Sequence, residues 1–199
     1  MSGSPGAIVI LNGAPRSGKS SIARAMQARL PDVWFNRGVD SEVAMLPAAL
    51  RPGIGLRPGN DNPALKALVL DLYAALYGAV AAFAEQGFNV VMDVGHHDAE
   101  VLRASLRRLQ GCVVMLVGVR CPLDQIMARR AMDTDSRHVP AGAPVPEAVL
   151  RWELHVHDPG IYDLEIDTAL ITSDEGADRI GTMLAAGLAR PTAVERLLN

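Results

Sequence analysis

The sequence predicts an α/β fold in which a parallel sheet of about five strands is covered by helices on both faces. Three observations predict it. Short β-branched runs alternate along the chain with longer segments of helical period. The first of these runs leads at once into a glycine-containing turn and then a helix. The runs are continuously apolar rather than alternating, as strands buried on both faces are.

Taken in order, Ala7 to Leu11 (AIVIL) reads as a buried strand. Ser20 to Leu30 is a helix with Ile22, Ala25, Met26 and Arg29 spaced by three or four, ended by Pro31. Val33 to Asn36 is a short second strand, and Ser41 to Leu50 a helix with Pro47 near its end. Arg51 to Pro63 is rich in Pro and Gly and reads as a loop. Ala64 to Gln86 is a long helix stopped by Gly87. Phe88 to Met92 is a strand ending on Asp93, and Asp98 caps a helix that runs to Leu109. Cys112 to Val119 is the most apolar strand, followed by a helix over Pro122 to Met132. Asp133 to Pro146 is polar, then Pro-rich, and is predicted to be a mobile lid. A helix over Glu147 to His157, a last strand at Leu164 to Asp167 and a last helix over Asp174 to Ala189 complete the pattern.

The 199 residues suit a single domain. Hydrophobic residues make up 49% and aromatics only 4%, so the core should be aliphatic and no stacking platform for single-stranded nucleic acid is expected. The net charge of −3 comes with interspersed signs and no basic stripe, which argues against nucleic acid as the main partner. Two cysteines, Cys112 and Cys121, are too few for a disulfide framework. Met1 to Gly6 lacks a signal-peptide pattern and no stretch has membrane-spanning character, so a cytoplasmic setting without a membrane partner is expected. The oligomeric state is left open.

Gly13-Ala14-Pro15-Arg16-Ser17-Gly18-Lys19-Ser20 matches G-x-x-x-x-G-K-[ST] in full, between a strand and a helix. Backbone N–H groups of such a loop wrap nucleotide phosphates, and the following helix offers its positive end. Gly13, Ala14, Pro15, Arg16, Ser17, Gly18, Lys19, Ser20 and Ser21 are therefore the expected ATP-binding residues. Lys19 should reach the β- and γ-phosphates, and the Ser20 hydroxyl should ligate Mg²⁺. Asp93, at the end of a buried strand, is the second expected Mg²⁺ residue, with a turn or cap Asp as the alternative. Asp40, in Gly38-Val39-Asp40-Ser41, is either the base for an acceptor hydroxyl or a helix N-cap. Arg130 and Arg137 border the lid as candidates to stabilise the transferred phosphoryl group, and Arg120 and Arg129 are candidates for nucleotide contact. His96-His97-Asp98 and His155-x-His157 lack the paired spacing of zinc ligands, and His96 and His97 read as cap or acceptor-pocket residues. No G-x-S-x-G element supports a hydrolase triad.

Beyond the phosphate loop, the chain resembles the chloramphenicol phosphotransferase family over nearly its whole length. The resemblance lies in Ile10-Leu11-Asn12-Gly13, Gly38-Val39-Asp40-Ser41, Val117-Gly118-Val119-Arg120-Cys121, Val156-His157 and Tyr162-Asp163-Leu164-Glu165-Ile166-Asp167-Thr168. It implies a P-loop kinase fold, ATP-dependent transfer to a hydroxyl of a small molecule, and Asp40 as the base. The chain departs from the family where a pair of aspartates is replaced by Met92-Asp93, and in the lid, where only Arg129 is in register. The expectation is an ATP- and Mg²⁺-dependent O-phosphotransferase acting on a small-molecule hydroxyl acceptor, an antibiotic among the possibilities. A nucleotide-sugar, nucleoside or other metabolite kinase is the nearer alternative, since zeta-type toxins share the scaffold. A nucleotide-dependent regulatory protein is the more distant one, and it needs no acceptor base.

Overall fold

The computed structural model describes residues 4–47, 66–134, 138–158 and 160–199. Five strands form one sheet: β1 (Ala7–Asn12), β2 (Trp34–Gly38), β3 (Asn89–Val94), β4 (Val113–Arg120) and β5 (Leu164–Asp167). Their order is β2-β3-β1-β4-β5, and every pair is parallel. The predicted architecture is the observed one. The helices are α1 (Lys19–Arg29), α2 (Val39–Ala44), α3 (Lys66–Glu85), α4 (Ala99–Leu106), α5 (Leu123–Ala131), α6 (Glu147–His155), α7 (Ser173–Ala186) and α8 (Ala193–Leu198). No described helix is long and apolar enough to cross a membrane.

The period-2 geometry of a strand sends alternate side chains to opposite faces. In β1, Ile8 and Ile10 join a core with Val80 and Tyr77 of α3, Leu102 and Leu106 of α4, and Leu197 of α8. Val9 and Leu11 join the other core, with Ile22 and Met26 of α1 and Ala177 and Ile180 of α7. Both faces are buried among apolar side chains, which is why the strands read as unbroken apolar runs. A third cluster lies over the strands' carboxyl ends, where Val149, Trp152 and Val156 meet Ala14, Cys121 and Ile126.

Several boundaries differ from expectation, each for a local reason. β2 runs to Gly38 and α2 begins at once with Val39, so Asp40 lies in a helical first turn and is not the N-cap. β3 continues through Asp93 to Val94, because both residues pair with β1. Thr172 forms a capping box with Glu175, so α7 starts at Ser173, and Gly187 (φ 81) ends it before Ala189. A second capping box, Thr192 with Glu195, opens α8, a helix the sequence pattern did not predict. The predicted loop over Arg51 to Pro63, the end of the helix before it and Arg137 lie outside the described residues. Residues 133–134 and 138–146, within the predicted lid, are neither helix nor strand.

Candidate active site

Three strands end side by side and deliver the predicted chemistry to one edge of the sheet. Asn12 of β1 leads into the phosphate loop, Asp93 lies opposite Leu11 on β3, and Gly38 of β2 lies opposite Asp93. The loop turns through left-handed backbone at Arg16 (φ 75) and Gly18 (φ 103) before α1 begins at Lys19. A side chain at Gly18 would be strained by that φ and would also approach Thr168 Cγ2 to 3.1 Å.

Lys19 is buried, and its Nζ donates to the carbonyls of Gly13 and Ala14, both at 2.9 Å. Nζ also lies 3.8 Å from Asp93 Oδ1. Burial lowers the Lys19 pKa, while the Asp93 and then the Asp40 carboxylates act against that shift. Both carboxylates thus belong to the electrostatic surroundings of the one ammonium. The Ser20 hydroxyl donates to Asp93 Oδ2. A hydroxyl and a carboxylate at the entry to a phosphate loop are hard oxygen donors, the type Mg²⁺ takes alongside phosphate oxygens. The Ser17 hydroxyl is buried without a hydrogen-bond partner among the described residues, inside the loop expected to wrap the phosphates. These features fit a nucleotide triphosphate and its metal.

Asp40 is set by the start of α2. Ser41 Oγ donates to the Gly38 carbonyl at 2.7 Å and accepts from its N–H at 3.2 Å. Arg37 Nε and Nη2 reach Glu42 Oε1 at 3.0 and 2.6 Å, pinning the helix to β2.

The arginines are placed differently from one another. Arg129 Nη1 donates to the Arg16 carbonyl at 2.9 Å, so it props the loop from α5. The Arg16 guanidinium forms an ion pair with Asp133, at the start of the lid segment. Arg130 is buried at the end of α5, and its carbonyl accepts from Val139 N–H at 3.3 Å. Arg120 is exposed at the end of β4 and pairs with Glu165 of β5.

His96, read from the sequence as a cap or acceptor-pocket residue, does not cap α4. It is buried, with Nε2 at 2.8 Å from the Tyr77 hydroxyl and its ring 5.0 Å from that of Tyr73. Burial, followed by the neighbouring His97, pushes its pKa down to about 3, so it is neutral near pH 7. Asp98 alone caps α4, accepting from Glu100 and Val101 N–H at 2.8 and 3.1 Å. His97 packs edge-on against Trp152. Asn12, Tyr162, Thr168 and Asp133 contact the site's framework without having been singled out for it. The first three lie within the motifs that carry the family resemblance, which was the available signal.

The family model of the chloramphenicol phosphotransferase-like proteins matches residues 6–185. A Mycobacterium tuberculosis protein named "Putative O-phosphotransferase" is 31% identical over 186 residues, covering 84% of this chain and 78% of its own. Among solved structures, the Mycobacterium tuberculosis APS kinase in complex with AMPPNP and APS superposes with a TM-score of 0.61 at 18% identity, covering 92% of this chain and 99% of that one. The Acinetobacter baumannii shikimate kinase in complex with shikimate gives 0.59 at 14% identity, covering 93% and 95%. The fold is therefore that of the P-loop kinases.

Proposed function

Since the chain belongs to the chloramphenicol phosphotransferase-like family, we propose that it transfers the γ-phosphoryl group of ATP to a hydroxyl of a small molecule. The observation that carries this is the arrival of two carboxylates at one sheet edge: Asp93, 3.8 Å from the buried Lys19 ammonium, and Asp40, two residues after Gly38, which lies opposite Asp93. A nucleotide switch needs the lysine and one metal-side carboxylate. A second carboxylate, on the separate helix α2, suits an acceptor hydroxyl.

In this reading the backbone N–H groups from Gly13 to Ser20 cradle the phosphates, and Lys19 exchanges its two carbonyl partners for phosphate oxygens. Ser20 and Asp93 would hold Mg²⁺, whose charge would offset that of the β- and γ-phosphates. Asp40 orients the acceptor hydroxyl and takes its proton as the new P–O bond forms and the bridging bond to the β-phosphate breaks, releasing ADP. Arg16 and Arg130 flank the loop and the lid base, where positive charge stabilises the equatorial oxygens. Segment 133–146 acts as the lid over the triphosphate.

The test is an ADP-release assay with ATP, Mg²⁺ and a panel of hydroxylated antibiotics, sugars, nucleosides and nucleotide sugars, with Lys19→Ala as the control. An acceptor should accelerate ADP release and appear as a phosphate monoester by ³¹P NMR. ADP release that no hydroxyl compound accelerates, alongside tight ATP binding, would favour a nucleotide-dependent regulatory protein instead.

A further inference from the structure

Asn12 is the last residue of β1, one position before the phosphate loop, and it is only 1% exposed. Its side-chain amide joins three separate segments. Oδ1 accepts from His96 N–H at 2.7 Å. Nδ2 donates to the Val156 carbonyl at 2.7 Å and to the Tyr162 hydroxyl at 3.0 Å. The Tyr162 oxygen lies in turn 2.8 Å from His157 Nδ1. The amide's orientation follows from these partners, since an N–H must meet Oδ1 and a carbonyl must meet Nδ2. Tyr162 has little freedom to shift, because its ring lies on Gly118, where a Cβ would come within 2.6 Å of it.

Each segment belongs to a different part of the transfer chemistry. His96 is three residues beyond Asp93, in the loop that leads to α4. Val156 and His157 follow α6, the helix that returns the chain from the lid segment. The residue after Asn12 is Gly13, whose carbonyl holds Lys19. Stability alone does not call for an amide here. A neutral buried hydrogen bond contributes little net, and replacing a polar set by apolar groups of the same shape is often neutral. What an apolar residue cannot do is fix three loops in one register.

We propose that Asn12 is a positioning residue for phosphoryl transfer, holding the start of the phosphate loop in register with the Asp93–His96 segment and with Val156–His157. The role rests on the kinase reading above. Asn12 touches no reacting atom; it acts through the backbone of Gly13 and His96. A misplacement near 1 Å in such a site costs about 10²-fold in rate, so small losses of register matter.

The experiment is an amide NMR titration with ADP and Mg²⁺ on the wild type, Asn12→Ser and Tyr162→Phe, with thermal melting of each. In the wild type, ADP should shift the signals of Gly13 and Lys19 and also those of His96 and His157. In Asn12→Ser, ADP should still bind, with affinity within roughly tenfold of wild type, because the loop and Lys19 are intact. The His96 and His157 responses should fall to roughly half or less, since they travel through the lost amide. A purely structural role would lower the melting temperature and leave those responses in place. Tyr162→Phe keeps the ring on Gly118 and removes one hydroxyl, so it covers the case in which Asn12→Ser does not fold. It leaves the Asn12–Val156 hydrogen bond in place, so it should weaken the His157 response without abolishing it and keep that of His96. Undiminished responses in a folded Asn12→Ser, or an undiminished His157 response in Tyr162→Phe, would overturn the proposal, as would a wild type that binds ADP without responses at His96 and His157. A wild type that fails to bind ADP would overturn the kinase reading itself, and this role with it.

Discussion

Arg129 and Thr168 brace the phosphate loop together. Arg129 Nη1 donates to Thr168 Oγ1 at 3.1 Å, and that hydroxyl donates to the Ser17 carbonyl at 2.7 Å. Because Arg129 also reaches the Arg16 carbonyl, the two side chains hold consecutive loop carbonyls from α5 and from the end of β5. Thr168→Val keeps the shape and removes the hydroxyl's contacts with Arg129 and the Ser17 carbonyl, together with a longer one to the Arg120 carbonyl at 3.4 Å. The lost hydrogen bonds should cost about 1–3 kcal/mol of stability. The ATP KM should rise by roughly tenfold, because the loop's N–H groups lose their fixed aim. Urea unfolding and ATP titration on one preparation check both; an unchanged KM would show that Arg129 suffices alone.

Lys19→Ala should abolish transfer and weaken ATP binding sharply. The ammonium is buried in the loop and already bonded to two of its carbonyls, so it is placed to reach phosphate oxygens without a large rearrangement. A loss of roughly 10²-fold or more in turnover is expected from removing such a charge. Turnover at saturating ATP and Mg²⁺ is the measurement, and near-wild-type activity would refute the assignment.

Ser20→Ala and Asp93→Asn should each raise the Mg²⁺ concentration needed for half-maximal turnover. The Ser20–Asp93 hydrogen bond makes the two a single oxygen-donor pair, so the double variant should be less than additive. Mg²⁺ titration of the four proteins tests this. Activity that survives excess chelator would exclude the metal role.

The five strands and their parallel direction were legible because the sheet is buried on both faces and its strands are short apolar runs; their spatial order was not. Lys19, Ser20 and Asp93 were legible because a motif or a strand end fixes their position. Tertiary partners were not. The motif singles out Asn12 and Tyr162 as residues, but nothing in their spacing says that they meet across 150 positions. His96 looked available for a pocket because its exposure depends on Tyr73 and Tyr77, which come from α3. Helix α8 was missed because six residues are too few to show a period, although Thr192-x-x-Glu195 marks its start.

Acid should destabilise the fold through His96. Its folded pKa of about 3 lies below the unfolded value of about 6.5. Between those values the unfolded chain binds the extra proton, so the stability contribution is fully present above about pH 6.5 and is lost as pH falls toward 3. From pH 7 to pH 5 this one group should cost about 2 kcal/mol. His157, pushed down to about 4 mainly by burial and next by Arg120, adds a loss of the same sign. Urea midpoints at pH 7 and 5 should therefore fall in the wild type and fall less in His96→Gln. Equal falls in the two proteins would show that His96 is not the acid-sensitive group.

Asp40→Asn separates the acceptor base from every other part of the site. The residue lies within the first turn of α2 and is not its N-cap, so the substitution tests its charge rather than a cap. Its charge acts on Lys19 less than that of Asp93 does, so ATP affinity should change little. The amide keeps the shape but cannot take a proton from the acceptor hydroxyl. Transfer should drop by roughly 10²–10⁴-fold, the span for a positioned base. ATP affinity, melting temperature and turnover with a confirmed acceptor are measured together. Tight ATP binding and an unchanged melting temperature with turnover lost would assign the base to Asp40. A stable variant with near-normal turnover would leave deprotonation to solvent, as a largely dissociative transfer permits, and would reduce Asp40 to a neighbour of Lys19.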